Sequence, residues 1–593
     1  MKTLTGLDAT FLYLETPEMP MHVGSLNLCE LPAGFKGSFH KAVTAHIASR
    51  MHLAPVFSRK LVFMPFDLGH PLWVDAESVD IGFHVRRVGP PQASTAPRGG
   101  SAAHEVASVG AKTRRADPAK KGAAPMTLAA VHKLCAQLHG ELIDRHFPLW
   151  EFYVFDRIKL PDGKVVAGFF SKIHHAALDG KGSVMLANAM LDMGPVPREV
   201  APPDPTRRRK LESDLKLGKM IGSVFSSSLG QLAKLARTLP SAAGTLGSTL
   251  ARQTASGAAG RRPKMPMKLA PATPFNTGIT AERVFVTATV PLAECKAMGK
   301  AVGGSFNDIV LWICSTALRH YLTQHHSLPK KSLVAAMPVS LRKAGATDAT
   351  DLGNQVSMSL VELGTHLANP LKRMNAIMAS TAKVKTSMQS LKGLLPTDYP
   401  SLLAPWLVGG AGKAALNAYG KSGLASRLPM VANLAISNVP GPPVPLYLAG
   451  ARFLTFHPLS IVLHGLGLNI TIQTYAGQVD FGIVAGKTAL PHAQSLAQAI
   501  QVAFEEAQGL LAPAAETGPK PVKTRTKPVA SETGLGKPPS VKRAGSPKMD
   551  SINNKATKKF NASSHGTTRS PAVRASTKPK TRAKTGAARR AAA

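Results

Sequence analysis

The chain has few of the features that mark disulfide-rich secreted proteins or membrane-spanning proteins. Only four of its 593 residues are cysteine, and none of them forms a Cys-x-x-Cys pair, so we expect neither a disulfide framework nor a zinc site. No uninterrupted apolar run reaches the roughly 18 residues that a spanning helix needs, and the N-terminus lacks the apolar segment of a signal peptide. These absences predict a cytoplasmic protein that is soluble or bound peripherally to a membrane.

Acidic residues are also scarce, with 34 against 72 lysines and arginines, and the formal net charge is +38. Most of the excess lies in three irregular-looking segments, residues 91–125, 201–275 and 511–593. The last segment contains a single aromatic residue, Phe560. It has too little apolar surface to offset chain entropy, so we expect it to be disordered. Basic segments of this kind bind polyanions such as nucleic acid or anionic lipid without sequence specificity and in a salt-sensitive way.

Hydrophobic patterning predicts two α/β regions joined by a connector. Residues 1–200 form the first region, with 91–125 as a surface insertion, and residues 276–512 form the second. Residues 513–593 are the basic tail. The connector, residues 201–275, carries an apolar stripe at helical spacing among lysines and arginines. That stripe either packs on the body of the protein or lies on an anionic membrane or oil-droplet surface.

Residues 174–180, which read His-His-Ala-Ala-Leu-Asp-Gly, carry the clearest chemical signal. A neutral imidazole is the side chain best suited near pH 7 to take a proton from a hydroxyl group. A strand-like run at 164–173 leads into the two histidines, and helix-like spacing follows over 183–193. This layout presents reactive groups at the end of a strand, although a histidine pair that only ends the strand gives the same pattern.

The motif resembles the HHxxxDG motif of CoA-dependent acyltransferases related to chloramphenicol acetyltransferase. A longer ordered series of segments is similar to the bacterial wax ester synthase/diacylglycerol acyltransferase family. The series comprises residues 7–11, 15–17, 20–24, 148–151, 305–310, 338–342, 353–354 and 437–442. The resemblance implies an α/β fold with mixed α+β sheets, in which two chloramphenicol acetyltransferase-like domains enclose a central tunnel.

The resemblance also implies roles for the motif residues. His175 is the expected general base on an acceptor alcohol, and an ordinary histidine pKa near 6.5 suits that role. His174 is expected to support it; a role for His174 as the base stays open, because a one-residue shift in register exchanges neighbouring side chains between faces. Asp179 is expected to hold the loop by pairing with an arginine, and Gly180 to permit the turn.

Four residues of the second region are the predicted substrate-binding residues: Asn307, Asp308, Ser437 and Asn438. Asn307 and Asp308 either line the active tunnel or form a capped helix start, with Asn307 or Ser305 as the cap. Ser437 and Asn438 either line the crevice or belong to a Pro/Gly turn.

Three further expectations concern Trp150 and Glu151, metal ions and cofactors. Trp150 and Glu151 are interpreted as a packing residue and a surface salt bridge. The acidic ligands of a metal site do not accompany the histidines, so we expect no metal. The histidines considered are His174, His175, His320, His325 and His326. No cofactor is expected, because acyl-CoA is a substrate.

These features predict an acyl-CoA-dependent O-acyltransferase that acts on diacylglycerol, a long-chain fatty alcohol or both. Insoluble acceptors favour the membrane interpretation of the connector, and we expect the protein at the inner membrane and lipid inclusions. Two alternatives remain: an HHxxxDG enzyme that condenses carrier-bound acyl groups, and a non-catalytic protein that coats or tethers lipid inclusions. The sequence leaves the preferred acceptor, the acyl-chain length and the oligomeric state open.

Overall fold

A computed structural model describes most of the two predicted α/β regions. The insertion 91–125, the connector 201–275 and the tail 513–593 lie outside the described residues except at their edges, and so does Asp179. The proposed domain boundaries therefore stay predictions. The described residues are 2–63, 70–89, 124–178, 180–203, 269–340, 356–391, 418–420, 422–423 and 430–511.

Helices and strands alternate along both regions. The strands are β1 Lys2–Thr3, β2 His22–Glu30, β3 Arg59–Val62, β4 Leu72–Asp75, β5 Val85–Val88, β6 Met126–Thr127, β7 Trp150–Lys159, β8 Val165–His174, β9 Arg283–Pro291, β10 Val334–Ser340, β11 Val356–Glu362, β12 Leu434–Val439, β13 Tyr447–Leu448, β14 Ala451–Phe453, β15 His457–Leu459, β16 Leu468–Tyr475 and β17 Gln478–Gly486. The helices are α1 Gly6–Leu14, α2 Phe39–Arg50, α3 Ile81–His84, α4 Leu128–Gly140, α5 Gly180–Met190, α6 Leu292–Ala301, α7 Phe306–Gln324, α8 Pro370–Leu391 and α9 Ala493–Leu511. This arrangement confirms the α/β class with mixed sheets.

The first large sheet carries the histidine motif. Its strand order is β13-β14-β2-β8-β7-β5, with β15 beside β2 and β6 beside β7. The antiparallel register places His22 opposite His174 and Glu151 opposite Lys172. Because directly opposed residues share a face and side chains alternate along a strand, all four lie on the same face of the sheet.

The second large sheet has the order β11-β10-β12-β16-β17-β9, with parallel pairing at β10–β12 and β12–β16. Helix α7 begins in a capping box formed by Ser305 and Asp308, so Ser305 is the cap. All residues of α7 from Ile309 to Leu318 are buried, as expected for a helix that is apolar on every side. Helix α9 occupies the predicted position, and its apolar face packs into the same core as α7.

The second half of the chain also completes the first sheet. Strands β13, β14 and β15 follow β12 of the second sheet, yet they belong to the first sheet, where β14 and β15 pair with β2 and β13 pairs with β14. The chain then returns to the second sheet at β16. Strand β15 approaches β17 closely at Gly482, where an added Cβ would lie 1.7 Å from the carbonyl oxygen of Pro458. Glycine is therefore required where these two strands meet.

Among the described residues, no single helix meets the length and hydropathy of a membrane span. The consecutive helices α6 and α7 meet the criteria only as a pair, which is bent by 101°. The same part of the chain contains no group of three or more histidine, cysteine, aspartate or glutamate side chains placed to hold a metal ion.

Candidate active site at the end of strand β8

The histidine motif lies where β8 ends and a short 3-10 turn begins. His174 is the last residue of the strand, and the turn spans His175–Ala177. Helix α5 then starts at Gly180. The predicted strand, loop and helix are therefore confirmed, with the strand shifted by one residue relative to 164–173.

The ring of His174 is fully buried and both of its nitrogens face polar groups of the protein. Nδ1 accepts a hydrogen bond of 3.1 Å from the main-chain N–H of Ala176. The proton of the neutral ring therefore resides on Nε2. Nε2 lies 3.3 Å from Oε1 of Glu15 at an angle short of good hydrogen-bond geometry, and no other acceptor serves this nitrogen within the described residues. This ring has no nitrogen left to accept a proton from a substrate.

The ring of His175 has a different environment. It stacks on the ring of Phe11 with 4.0 Å between centroids and 15° between planes. Its main-chain N–H donates a 2.8 Å hydrogen bond to the carbonyl oxygen of Met21. Burial lowers the pKa of His175 to about 4, the nearby His174 acts in the same direction, and the main chain of His175 opposes both. The imidazole is therefore neutral at pH 7 and able to accept a proton.

Glu15 is the central residue of this site that the sequence does not single out as functional. It follows α1, and its side chain is buried. Oε1 accepts a 3.0 Å hydrogen bond from the N–H of Met21 and lies 3.3 Å from Nε2 of both His22 and His174. Oε2 accepts hydrogen bonds of 3.2 and 2.7 Å from Arg145. Burial acts to raise the pKa of Glu15, but the two histidines beside its carboxylate outweigh it and hold the pKa far below its usual range.

A second buried polar group lies on the same face of the sheet. Lys172 donates a 3.0 Å hydrogen bond to Oε2 of Glu151, which also accepts 2.7 Å from the hydroxyl of Tyr153. Arg86 donates 3.2 Å to Oε1. Glu151 is buried, so its interpretation as a surface salt bridge is wrong, whereas Trp150 is fully buried and packs as expected.

The predicted residues of the second region fall into two groups. The amide of Asn438 donates a 3.3 Å hydrogen bond to Oδ1 of Asn307, so these two residues are brought together. Asp308 uses Oδ2 in the helix cap with Ser305 and accepts a 2.7 Å hydrogen bond from Thr381 at Oδ1. Both carboxylate oxygens of Asp308 thus accept hydrogen bonds from the protein. Ser437 lies on β12, half-buried.

Two family profiles match most of the chain. The family profile described as "Wax ester synthase/diacylglycerol acyltransferase catalytic domain" matches residues 4–98 and 122–310. The profile "WS/DGAT C-terminal domain" matches residues 352–508. The two matches together cover the histidine motif and every strand of the two large sheets except β10.

Individual relatives match along almost their entire length. A protein of Mycobacterium tuberculosis, named provisionally as a diacylglycerol O-acyltransferase, is 32% identical over 504 residues, which cover 85% of this chain and 98% of that protein. The O-acyltransferase WSD of Acinetobacter baylyi is 29% identical over 516 residues, which cover 86% and 98%. The solved wax ester synthase/diacylglycerol acyltransferase from Marinobacter aquaeolei VT8 superposes with a TM-score of 0.57 at 25% identity, over 86% of this chain and 100% of that one. The chain belongs to the wax ester synthase/diacylglycerol acyltransferase family.

Proposed function

We propose that this O-acyltransferase carries a fatty acyl group from acyl-CoA to diacylglycerol, to a long-chain fatty alcohol or to both, with His175 as the general base. The observation that carries the assignment is the contrast between the two rings of the motif. Nδ1 of His174 accepts from the N–H of Ala176, and its protonated Nε2 faces the Glu15 carboxylate at 3.3 Å. His175 is held through its main chain and keeps a neutral ring.

The reaction needs one proton carrier. His175 takes the proton of the acceptor hydroxyl while the oxygen attacks the carbonyl carbon of the thioester. The tetrahedral intermediate collapses with cleavage of the C–S bond, and the CoA sulfur takes up the proton from His175. The base is restored, and neither a covalent acyl-enzyme nor a cofactor is required. The stacked ring of Phe11 fixes the plane of the imidazole throughout this cycle.

The other predicted site residues take smaller parts in this proposal. Asn307 and Asn438 form a polar pair suited to hydrogen bonding with acyl-CoA or with the developing oxyanion. Ser437 lies next to this pair in the chain. Asp308 supports the start of α7, and for Asp179 and Gly180 we keep the role of shaping the loop that follows the histidines.

We further propose that the protein works at the inner membrane and on lipid inclusions. Large apolar side chains are exposed on α5, directly after the histidine motif, and in the segment that follows it. The adjoining connector, residues 201–275, is rich in lysine and arginine. Apolar side chains beside cationic ones suit the surface of an anionic membrane. The exposed residues are Val184, Met185, Met193 and Val196.

Release of free CoA by the purified full-length protein tests the proposed reaction. Palmitoyl-CoA is supplied with hexadecanol, with a diacylglycerol, or with no acceptor. Acceptor-dependent release supports acyl transfer and ranks the acceptors. Release that requires a carrier-bound acyl group instead favours a condensing enzyme. A variant without residues 513–593 serves as a control, because an acyltransferase keeps its turnover without the tail whereas a tether loses its function.

Flotation with lipid vesicles tests the proposed location. Vesicles with anionic lipid are expected to carry the protein, and binding is expected to fall with rising salt. A variant in which Val184, Met185, Met193 and Val196 are changed to serine should bind less tightly while it stays folded. Equal binding by this variant would contradict the proposed contribution of the apolar residues.

A further inference from the structure

Glu15 lies at the junction of two polar paths that end on the main-chain N–H groups of His175 and Ala176. On the first path, the N–H of Met21 donates to Oε1 of Glu15 at 3.0 Å, and the carbonyl oxygen of Met21 accepts from the N–H of His175 at 2.8 Å. On the second, Nε2 of His174 faces the same Oε1 at 3.3 Å, and Nδ1 accepts from the N–H of Ala176 at 3.1 Å. One carboxylate oxygen is thus linked to the main chain of His175 through Met21 and to that of Ala176 through His174.

Arg145 fixes the position of this carboxylate. Its guanidinium donates two hydrogen bonds to Oε2 of Glu15 and a third, of 2.9 Å, to the main-chain oxygen of Leu12. The Leu12 carbonyl belongs to the last turn of α1, where a cation is favoured by the helix dipole. The same helix supplies Phe11, on which the ring of His175 stacks. Arg145 therefore couples the orientation of α1 to that of the carboxylate.

We propose that Glu15, held by Arg145, is a positioning residue for His175. The proposal rests on the proposed role of His175 as the base. Glu15 touches neither substrate nor the reacting atoms; it acts through Met21 and His174 on the backbone of residues 175 and 176. The negative charge on Glu15 is needed because Oε1 accepts from the N–H of Met21 and faces Nε2 of His174, while a guanidinium occupies Oε2.

A glutamine cannot reproduce this pattern. Its amide oxygen is able to serve either the Met21 side or the Arg145 side, and its NH₂ group then faces donors on the other side. One path is broken or Arg145 is left without its acceptor. Either change should displace the turn that carries His175. A misplacement of about 1 Å at a catalytic group costs on the order of 10²-fold in rate, so the glutamine variant should lose most of its activity.

The test compares Glu15→Gln with wild type and with Asp192→Asn in the CoA-release assay. Asp192 is an equally buried carboxylate, bound by Arg50 at 2.9 Å, that has no hydrogen bond to the histidine motif within the described residues. We expect Glu15→Gln to lower kcat about 100-fold with the KM for palmitoyl-CoA changed by less than about twofold, because the base and not the substrate site is displaced. Asp192→Asn should lower the melting temperature but keep kcat. Glu15→Asp, which restores the charge on a shorter side chain, should recover part of the lost kcat.

Two results would overturn the inference. A Glu15→Gln variant with nearly wild-type kcat would show that the carboxylate does not position the base. A parallel loss of kcat and melting temperature in both Glu15→Gln and Asp192→Asn would show a merely structural role. If Glu15→Gln does not fold, Arg145→Lys replaces it, since lysine keeps the charge but cannot span Glu15 and Leu12 together. Wild-type protein that releases no CoA would contradict the proposed function itself, whereas an active Glu15→Gln contradicts this inference alone.

Discussion

Lowering the pH from 7.5 to 5 should leave the kcat/KM of this enzyme almost unchanged. Burial lowers the pKa of His175 to about 4, and a general base works only while it is unprotonated. With a pKa of 4, about 90% of the rings are still neutral at pH 5; with the ordinary pKa of 6.5, only about 3% would be. The two situations differ roughly 30-fold in kcat/KM at that pH.

The assay measures free CoA chromatographically after quenching, at subsaturating palmitoyl-CoA, from pH 7.5 down to pH 4. Under these conditions kcat/KM reports the ionisation of the free enzyme. A plateau to about pH 5 and a fall to about half of the plateau value at pH 4 are the expected results. A tenfold fall per unit that begins near pH 6.5 would refute the argument from burial.

The stability of the folded protein changes over the same pH range, so it must be measured as a control. Burial also lowers the pKa of His22 to about 4. A ring whose folded pKa is about 4 and whose unfolded pKa is about 6.5 binds more protons in the unfolded chain between these values. The stability that it contributes is complete above pH 6.5 and is lost as the pH falls toward 4, about 2 kcal/mol for each ring by pH 5. Circular dichroism at each pH identifies the range in which the protein is folded.

Two further predictions concern the sheet that carries the motif. Lys172→Met should lower the free energy of unfolding by about 3 kcal/mol, because it leaves the buried Glu151 without its closest cation, and urea titration measures the loss. Gly24→Ala should destabilise the protein by about 3 kcal/mol or more and abolish CoA release, since the new Cβ would lie 1.8 Å from the carbonyl oxygen of Ser171 on the neighbouring strand. Gly194→Ala, with no atom within 4 Å of the added Cβ, is the matched control and should behave like wild type. A stable, active Gly24→Ala would contradict the close packing of β2 on β8.

Elements whose apolar residues follow a regular period were predictable from the sequence. Strand β8 is shifted by one residue from the predicted 164–173, and α9 spans Ala493–Leu511 as predicted. The strands β13, β14 and β15 were not predictable, because segments of two or three residues contain no measurable periodicity. Their place in the first sheet depends on long-range pairing of β14 and β15 with β2.

The candidate site likewise has a part that the sequence predicts and a part that it does not. The histidine motif and its neighbouring elements are local, and the sequence identifies them. The role of Glu15 depends on contacts with Arg145 and His174, which are far away in the chain and meet only in the folded protein. Glu15 lies in a segment that resembles the family, so its presence was a signal, but nothing local distinguishes a buried acceptor from a surface carboxylate. For the same reason the sequence alone predicts a surface position for Glu151.

The central claim is that His175 is the base, and single substitutions at neighbouring histidines test it most directly. His175→Ala, His174→Ala and the surface control His146→Ala are compared in the CoA-release assay, with circular dichroism to establish folding. The account predicts a loss of about 10³-fold or more in kcat for His175→Ala, a partial loss for His174→Ala through displacement of the turn, and no change for His146→Ala. A folded His175→Ala variant that keeps wild-type kcat while His174→Ala is inactive would contradict it.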